Sequence, residues 1–195
     1  ALGIGRSRNF GHRHPRMSTL STSIAGVILA AGMSRRLGSP KAEYIYEGER
    51  LIDRAVRLFQ EVGISEIYVI TGSWNGEVQN AQKIFNPNFE EGISSSLQVA
   101  FTNLDVEKVC ITLVDLIGIS ATAIKRLIEC EQDLAIAQFD YHSQPPLLVH
   151  QRFFEEFREQ LRGDVGLRQI LKDHQDVAKI YIGDIATDQD LDTLG

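Results

Sequence analysis

The sequence predicts a single-domain α/β protein in which helices cover both faces of a mostly parallel sheet, a three-layer α/β/α arrangement. Apolar segments of strand length alternate with amphipathic segments of helical spacing almost throughout the chain. The 195 residues are enough for one such domain with a sizeable core. No internal repeat, low-complexity tract or linker divides the chain, so we expect one domain.

The first half of the chain begins this alternation with a buried strand, "IAGVILA", at residues 24–30, and a glycine-containing loop follows it. Residues 51–63 have apolar side chains at helical spacing and end at Gly63, which predicts a helix. The further elements expected here are a strand over 66–72, a short helix over 75–83, a helix capped by serines over 94–102 and a strand over 108–115 that ends in an acid.

The second half continues the same pattern. A helix opened by Ser120 is expected over 120–130, because serine is a favoured N-cap residue. The remaining predictions are strands over 134–139, 145–150 and 177–183, helices over 152–161 and 165–174, and a terminal helical turn over 188–194.

Composition limits the classes of partner. The formal net charge of −6 argues against broad electrostatic binding to nucleic acid. No apolar run approaches the roughly 18 residues of a membrane span, so no membrane partner is expected. The two cysteines, Cys110 and Cys130, lack metal-like spacing and lie in apolar segments. They are expected to be reduced core thiols, as in a cytoplasmic protein.

The N-terminal segment differs from the rest of the chain. Residues 1–16 precede Met17 and lack the apolar region of a secretory signal. We expect residues 1–23 to be a disordered leader, a cloning remnant or an upstream-extended start, and residues 24–195 to form the domain.

Positive charge is concentrated around the loop after the first strand, in "VILAAGMSRRLGSPKA" (27–42). The first acid of the chain is Glu43. The small residues 30–32 allow backbone N–H groups to approach an anion closely. Arg35, Arg36 and Lys41 add charged donors suited to a phosphate chain.

This loop is not a Walker A P-loop. Gly32 and Gly38 are separated by five residues, and Ser39-Pro40 precede the lysine. An ATPase of that class is therefore disfavoured. The alternative to phosphate binding is a basic surface loop followed by a turn at Ser39-Pro40.

The stretch "LAAGMSRRLGSPKA" resembles the signature L-A-A-G-x-S-x-R-[ML]-G-x-x-K of MobA-like nucleotidyltransferases, and in particular of molybdenum cofactor cytidylyltransferases. The resemblance covers roughly residues 24–192. Its further segments are "NPNFEEGISSSLQVA" (86–100), "ITLVDLIGIS" (111–120), "GDVGLRQIL" (163–171) and "DIATDQDL" (184–191).

The resemblance implies a glycosyltransferase-A type, Rossmann-like fold and a magnesium-dependent reaction. The terminal phosphate of an acceptor attacks the α-phosphorus of a nucleoside triphosphate, and pyrophosphate leaves. It gives catalytic roles to Arg36, Lys41 and Asp115. It assigns nucleotide binding to Leu29, Ala30, Ala31, Gly32, Arg36, Lys41, Ser95 and Ser96. For the two serines, a helix N-terminus satisfied by hydroxyls is an equally compatible interpretation.

Asp115 is the first candidate ligand for Mg²⁺, with Mn²⁺ as an alternative, because it follows a buried strand at the expected ligand edge. The family pattern D-I-D-T-P gives it a partner aspartate, but that position is Ala186 here. Asp184 is the expected substitute in an extended segment. Asp188 is a further candidate if the loop shifts, and weakened or lost catalysis is the remaining alternative.

The acceptor region also departs from the family. Ser143 and Gln144 replace a glycine and a histidine. A separate departure lies in the loop after Asp115, where Ile117 replaces a proline, which changes the stiffness of that loop more than its chemistry. His142 is out of register with the missing histidine and is interpreted as a loop residue. The segment that begins at Gly163 matches well, with Asp164 as a helix N-cap and an acceptor-binding or dimer-contacting helix after it.

The expected function is transfer of CMP from CTP to the phosphate of a small acceptor such as molybdopterin. CTP is favoured because guanylyl-transferring relatives tend to have glycine at the position of Ala31. A molybdoenzyme or its chaperone is a further expected partner. The alternatives are guanylyl or uridylyl transfer to another phosphorylated metabolite or sugar, and a degenerate module that binds nucleotide or cofactor without catalysis.

Overall fold

A seven-stranded sheet forms the centre of the molecule. The computed structural model describes residues 23–32 and 39–194. The sheet strands are β1 (Ile24–Leu29), β4 (Ile67–Thr71), β5 (Gln82–Phe85), β6 (Lys108–Leu113), β7 (Leu134–Gln138), β8 (Ser143–His150) and β9 (Ala178–Tyr181). The helices are α1 (Leu51–Glu61), α2 (Ile93–Asn103), α3 (Ala121–Ile128), α4 (Phe154–Gln160) and α5 (Leu167–Leu171).

The strand order is β5-β4-β1-β6-β8-β7-β9. The first four strands in this order are parallel to one another. β8 runs antiparallel to both of its neighbours, and β9 is parallel to β7. The sheet is therefore mostly parallel, as the sequence predicts, with one reversed strand.

Side-chain alternation along the strands divides the interior into two cores, one on each face of the sheet. In β1, Ile28 packs on the face that α1 and α3 cover, whereas Val27 and Leu29 pack on the face of α2, α4 and α5. All three side chains are buried. Both faces are thus sealed by helices, and ligands can reach the sheet at its ends.

The order in which strands are added to the sheet switches sides between the parallel strands β1 and β6. After β1 the chain crosses to β4 on one side, and after β6 it continues toward β7 and β8 on the other. The two strands are adjacent and end together, since Leu29 pairs with Leu113. Loops that diverge in this way leave a crevice at the carboxyl ends of the strands, where open α/β sheets bind ligands.

Three local predictions are wrong. Residues 75–83 do not form a helix, because their end joins the edge strand β5. The serines of α2 do not cap it, since its N-cap is Gly92. Asp164 does not cap α5, because Gly166 does, with its amide donating to the side chain of Gln169 at 2.9 Å.

Two short strands, β2 (Ile45–Tyr46) and β3 (Glu49–Arg50), form a hairpin that the sequence analysis did not predict. Its turn contains Glu47 and Gly48, both with positive φ, which suits the twist of a tight hairpin. The hairpin lies in the chain between the loop after β1 and α1. Among the described residues, none of the helices has both the length and the apolarity to cross a membrane.

Candidate functional site

The structure brings Lys41 and Asp115 together at the crevice between β1 and β6. The Lys41 Nζ lies 2.6 Å from the Asp115 Oδ2, although the residues are 74 positions apart. Lys41 begins a single 3-10 turn, Lys41–Glu43, and Asp115 lies two residues after the end of β6. The sequence predicted both residues at this edge, and their contact places them in one site.

A second carboxylate completes a charged cluster. The Lys41 Nζ also lies 2.7 Å from the Oδ2 of Asp192, near the C-terminus of the chain. Burial opposes the charged form of Lys41, but hydrogen bonds to Asp115 and Asp192 outweigh it and raise the pKa of the ammonium. Lys41 is therefore a cation held between two anions at neutral pH. Asp192 was not predicted from the sequence.

The loop after Asp115 is held by a half-buried arginine of α1. One guanidinium nitrogen of Arg54 donates to the carbonyl oxygens of Ile117 and Ile119, at 2.8 and 2.9 Å. Hydrogen bonds from a charged donor to carbonyls are stronger than neutral ones. Arg54 therefore fixes the path of the loop that presents the carboxylate of Asp115.

The loop after β1 is held at its start by the loop after β4. Ser73 donates from its backbone N to the carbonyl of Ala31 at 3.3 Å, and from its Oγ to the carbonyl of Gly32 at 2.8 Å. Gly72 allows this approach, since a Cβ there would lie 2.8 Å from the Ala31 oxygen. The amide of Ala30 donates to Ile70 at 2.9 Å. Phosphate binding by the backbone amides of Ala31 and Gly32 stays a prediction from the sequence.

Ser95 and Ser96 belong to a buried polar network. The side-chain Nδ2 of Asn86 donates to the Oγ of Ser95 at 2.8 Å and to the Oγ of Ser96 at 3.0 Å. Ser95 in turn donates to the carbonyl of Gly92 at 2.8 Å. The three side chains are buried, Asn86 completely. This network joins the end of β5 to the start of α2, and any nucleotide contact by these serines stays a prediction.

The acids of the C-terminal segment point to different partners. Asp184 forms a bidentate ion pair with Arg126 of α3, at 2.6 and 3.0 Å. Asp188 lies 3.4 Å from the Nε2 of His142, and its carbonyl accepts from Gln144 at 3.1 Å. Asp184, the predicted metal ligand, is thus engaged by a guanidinium rather than directed to Asp115.

The predicted phosphate ligands Arg35 and Arg36 lie outside the described residues. Within residues 23–32 and 39–194, no group of three or more His, Cys, Asp or Glu side chains is arranged to hold a metal ion. A cation at Asp115 would therefore take most of its ligands from phosphate oxygens and water. That composition is usual for Mg²⁺ at nucleotide sites.

Sequence reasoning missed Asp192, Ser73 and Arg54. Arg54 lies within a predicted helix, where nothing in the local pattern distinguishes it from a solvated charge. Ser73 follows a predicted strand at the ligand edge, and this position was the one available signal. The position of Asp192 depends on how the C-terminal segment docks, which no local pattern encodes.

Curated relatives match nearly the whole chain. A probable molybdenum cofactor guanylyltransferase from Bacillus cytotoxicus is 28% identical over 189 residues, which are 86% of this chain and 94% of the relative. A nicotine blue oxidoreductase from Paenarthrobacter nicotinovorans is 25% identical over 190 residues, covering 88% of this chain and 93% of that protein. The chain is thus similar to one protein named as a transferase and to another named as an oxidoreductase.

Solved structures share the fold. The crystal structure of Rv0371c from Mycobacterium tuberculosis superposes with a TM-score of 0.75 at 21% identity, covering 87% of this chain and 93% of that one. The profile described as the MobA-like NTP transferase domain matches residues 26–177, which include most of β1 and Asp115. With the crevice between β1 and β6 and its charged residues, this match shows that the chain belongs to the MobA-like NTP transferase domain family.

Proposed function

We propose that this protein transfers a nucleoside monophosphate from a nucleoside triphosphate to the phosphate of a molybdopterin-type acceptor and releases pyrophosphate. The observation that carries the proposal is the contact of Lys41 with Asp115 in the crevice between β1 and β6. A cation for phosphates and a carboxylate for a metal are the two kinds of group that phosphoryl transfer needs. The curated relative named as a guanylyltransferase supports the acceptor class.

In the proposed reaction, an oxygen of the acceptor phosphate forms a bond to the α-phosphorus. The bond from the α-phosphorus to the oxygen that bridges to the β-phosphorus breaks, and that oxygen leaves with pyrophosphate. Lys41 and Arg36 would stabilise the charge on the leaving group. The amides of Ala31 and Gly32 would hold phosphate oxygens at the end of β1.

Magnesium fits the donor set at Asp115. The carboxylate of Asp115 faces the ammonium of Lys41, so it lies in a position where it already binds a cation. Mg²⁺, or Mn²⁺ in its place, would supply charge neutralisation for the phosphates when bound there. Asp184 is left out of this proposed site because Arg126 engages both of its carboxylate oxygens.

Two observations favour different donors. Ala31 favours CTP, because guanylyl-transferring relatives tend to have glycine at this position. The relative from Bacillus cytotoxicus is named a guanylyltransferase, which favours GTP. The buried methyl of Ala31 packs toward Gly72, which gives it a packing role whatever base is bound. The donor is therefore decided by comparing CTP and GTP directly.

A second candidate is a protein that binds a nucleotide without transferring it. The relative named nicotine blue oxidoreductase is 25% identical over 88% of this chain, so similarity alone does not restrict the reaction to transfer. The alanine at position 186 also favours this candidate. It predicts nucleotide binding at the loop after β1 without pyrophosphate release.

The deciding experiment incubates the protein with Mg²⁺, molybdopterin and each of the four triphosphates in turn, and measures pyrophosphate. Release with CTP or GTP that requires molybdopterin, and that Asp115→Ala abolishes, supports the transferase. Tight binding of a triphosphate without release supports the second candidate. Release that persists in Asp115→Ala would contradict the assigned role of the carboxylate.

A further inference from the structure

The ammonium of Lys41 lies between two carboxylates that come from distant parts of the chain. Its Nζ is 2.6 Å from the Oδ2 of Asp115 and 2.7 Å from the Oδ2 of Asp192. The two carboxylate oxygens therefore lie close enough together to contact the same ammonium group. Two anions face one positive charge here, so the site has a net negative charge, and without the ammonium the two carboxylates would match the charge of one divalent cation.

The backbone, and not only the ion pair, fixes Asp192 beside Asp115. The amide of Leu191 donates to the carbonyl of Asp115 at 3.0 Å, one residue before Asp192. Gly118 donates to Gln189 and accepts from Thr187, each at 3.0 Å. The segment that carries Asp192 is thus hydrogen-bonded directly to the loop that carries Asp115.

Packing secures the same docking. Leu191 is buried in the core on the α1 and α3 face of the sheet. Gly118 leaves room for Thr187, since a Cβ at position 118 would lie 2.4 Å from the Thr187 carbonyl oxygen. The position of Asp192 therefore persists if Lys41 moves away from the two carboxylates.

Position 186, where the family pattern has an aspartate, cannot supply a second carboxylate beside Asp115. Ala186 has no side-chain oxygen, and its half-buried methyl packs against the core. Asp184 is engaged by Arg126, and Asp188 by His142. Asp192 lies six positions after Ala186 in the same segment and shares the ammonium of Lys41 with Asp115.

We infer that Asp192 is the second protein ligand of a divalent-cation site, with Asp115 as the first, and that Lys41 occupies the place of the cation until a nucleotide enters. This inference rests on the proposed function for its role in transfer. When the cation is held by the two carboxylates, Lys41 is released from them and its charge becomes available to the phosphates. The absence of an aspartate at position 186 is then compensated within the same segment.

The test measures Mn²⁺ binding directly, by the loss of the free-ion electron paramagnetic resonance signal, without nucleotide and then with CTP or GTP. Asp192→Asn is expected to weaken Mn²⁺ binding about tenfold or more, as loss of a group that tunes a metal site does. Asp188→Asn, in the same segment, is the matched control and should leave Mn²⁺ affinity unchanged. Thermal melting of both variants shows that they fold.

Lys41→Gln should change the Mn²⁺ affinity in the direction opposite to Asp192→Asn. Without nucleotide, this variant is expected to bind Mn²⁺ several-fold more tightly than the wild type, because the competing ammonium is gone. Equal Mn²⁺ affinity in the wild type and Asp192→Asn would overturn the inference. So would weaker Mn²⁺ binding in Lys41→Gln, or a failure of the wild type to bind Mn²⁺ in either condition.

This test separates the inference from the proposed function. Mn²⁺ binding that depends on Asp192, in a protein that releases no pyrophosphate, would support the cation site and contradict the transferase. Pyrophosphate release by a protein in which Asp192→Asn binds Mn²⁺ normally would support the transferase and overturn the role of Asp192.

Discussion

The indole N–H of Trp74 donates a hydrogen bond of 2.7 Å to the Oε1 of Glu43. Glu43 ends the 3-10 turn that Lys41 begins, and it also accepts from Arg50 at 3.1 Å. Ser73, next to Trp74, holds the carbonyls at the other end of the loop after β1. Two consecutive residues after β4 thus fasten both ends of that loop, and thereby set the position of Lys41.

We expect Trp74→Phe to weaken binding of CTP and GTP and to destabilise the fold. The variant removes a hydrogen bond to a carboxylate and part of a buried ring, at a cost of about 2–3 kcal/mol. Affinity for the triphosphate should fall several-fold, because the turn that carries Lys41 loses an anchor. Chemical denaturation and calorimetric titration measure the two effects.

Glu43→Gln is the matched control for Trp74→Phe. It keeps an oxygen acceptor for the indole but loses the charge that faces Arg50. The affinity for triphosphate should fall less than in Trp74→Phe if the indole contact is the anchor. Equal triphosphate affinities in Trp74→Phe and the wild type would contradict the positioning role. Trp74 is the single tryptophan of the chain, so its fluorescence reports directly on ligands bound at this loop.

Lys41→Ala is expected to weaken triphosphate binding more than monophosphate binding. Lys41 would contact the phosphates of the leaving group, which a monophosphate lacks. The loss for the triphosphate should be at least tenfold, or about 1.4 kcal/mol or more, as for a lost charge-assisted contact. Parallel titrations with CTP and CMP, and with GTP and GMP, measure the difference. Lys83→Ala, which removes a lysine of the edge strand β5, is the control, and equal losses for both ligands in Lys41→Ala would contradict the assignment.

Arg54→Ala should destabilise the fold by about 2–3 kcal/mol, because the carbonyls of Ile117 and Ile119 lose a charged donor. Arg54→Lys should recover only part of this loss, since an ammonium lacks the planar geometry of the guanidinium. If the loop also positions Asp115, the Mn²⁺ affinity of Arg54→Ala should fall at a temperature where the variant remains folded. Denaturation midpoints and Mn²⁺ titration measure the two effects. A loss of stability without a change in Mn²⁺ affinity would restrict Arg54 to a structural role.

The main strands and helices were predictable because their apolar periodicity is strong and local. The edge strand β5 was not, since Gln82, Lys83 and Phe85 are exposed and its pattern has no buried face to reveal it. The shared position of Lys41 and Asp115 was predictable because each follows a strand that ends at the same edge of the sheet. Their roles in phosphate and metal binding stay predictions. Asp192 joins this cluster through its contact with Lys41, which lies 151 positions earlier in the chain. Such a contact follows from tertiary docking, which a single sequence does not display.

The alkaline limit of stability should depend in part on Tyr68 in β4. The hydroxyl of Tyr68 donates to Glu66 at 2.6 Å. This hydrogen bond, together with burial and the negative charge of Glu66, raises the pKa of Tyr68 to about 12 from an ordinary value of 10.0. The unfolded chain loses this proton first. The stabilisation that the raised pKa of Tyr68 gives the folded state is therefore complete below pH 10.0, and it is lost as the pH rises toward about 12.

The ultraviolet phenolate absorbance, taken as the difference between the wild type and Tyr68→Phe, should show this late titration of Tyr68. In Glu66→Gln the titration of Tyr68 should move back toward 10.0, and an unchanged midpoint would show that the Glu66 carboxylate does not cause the shift.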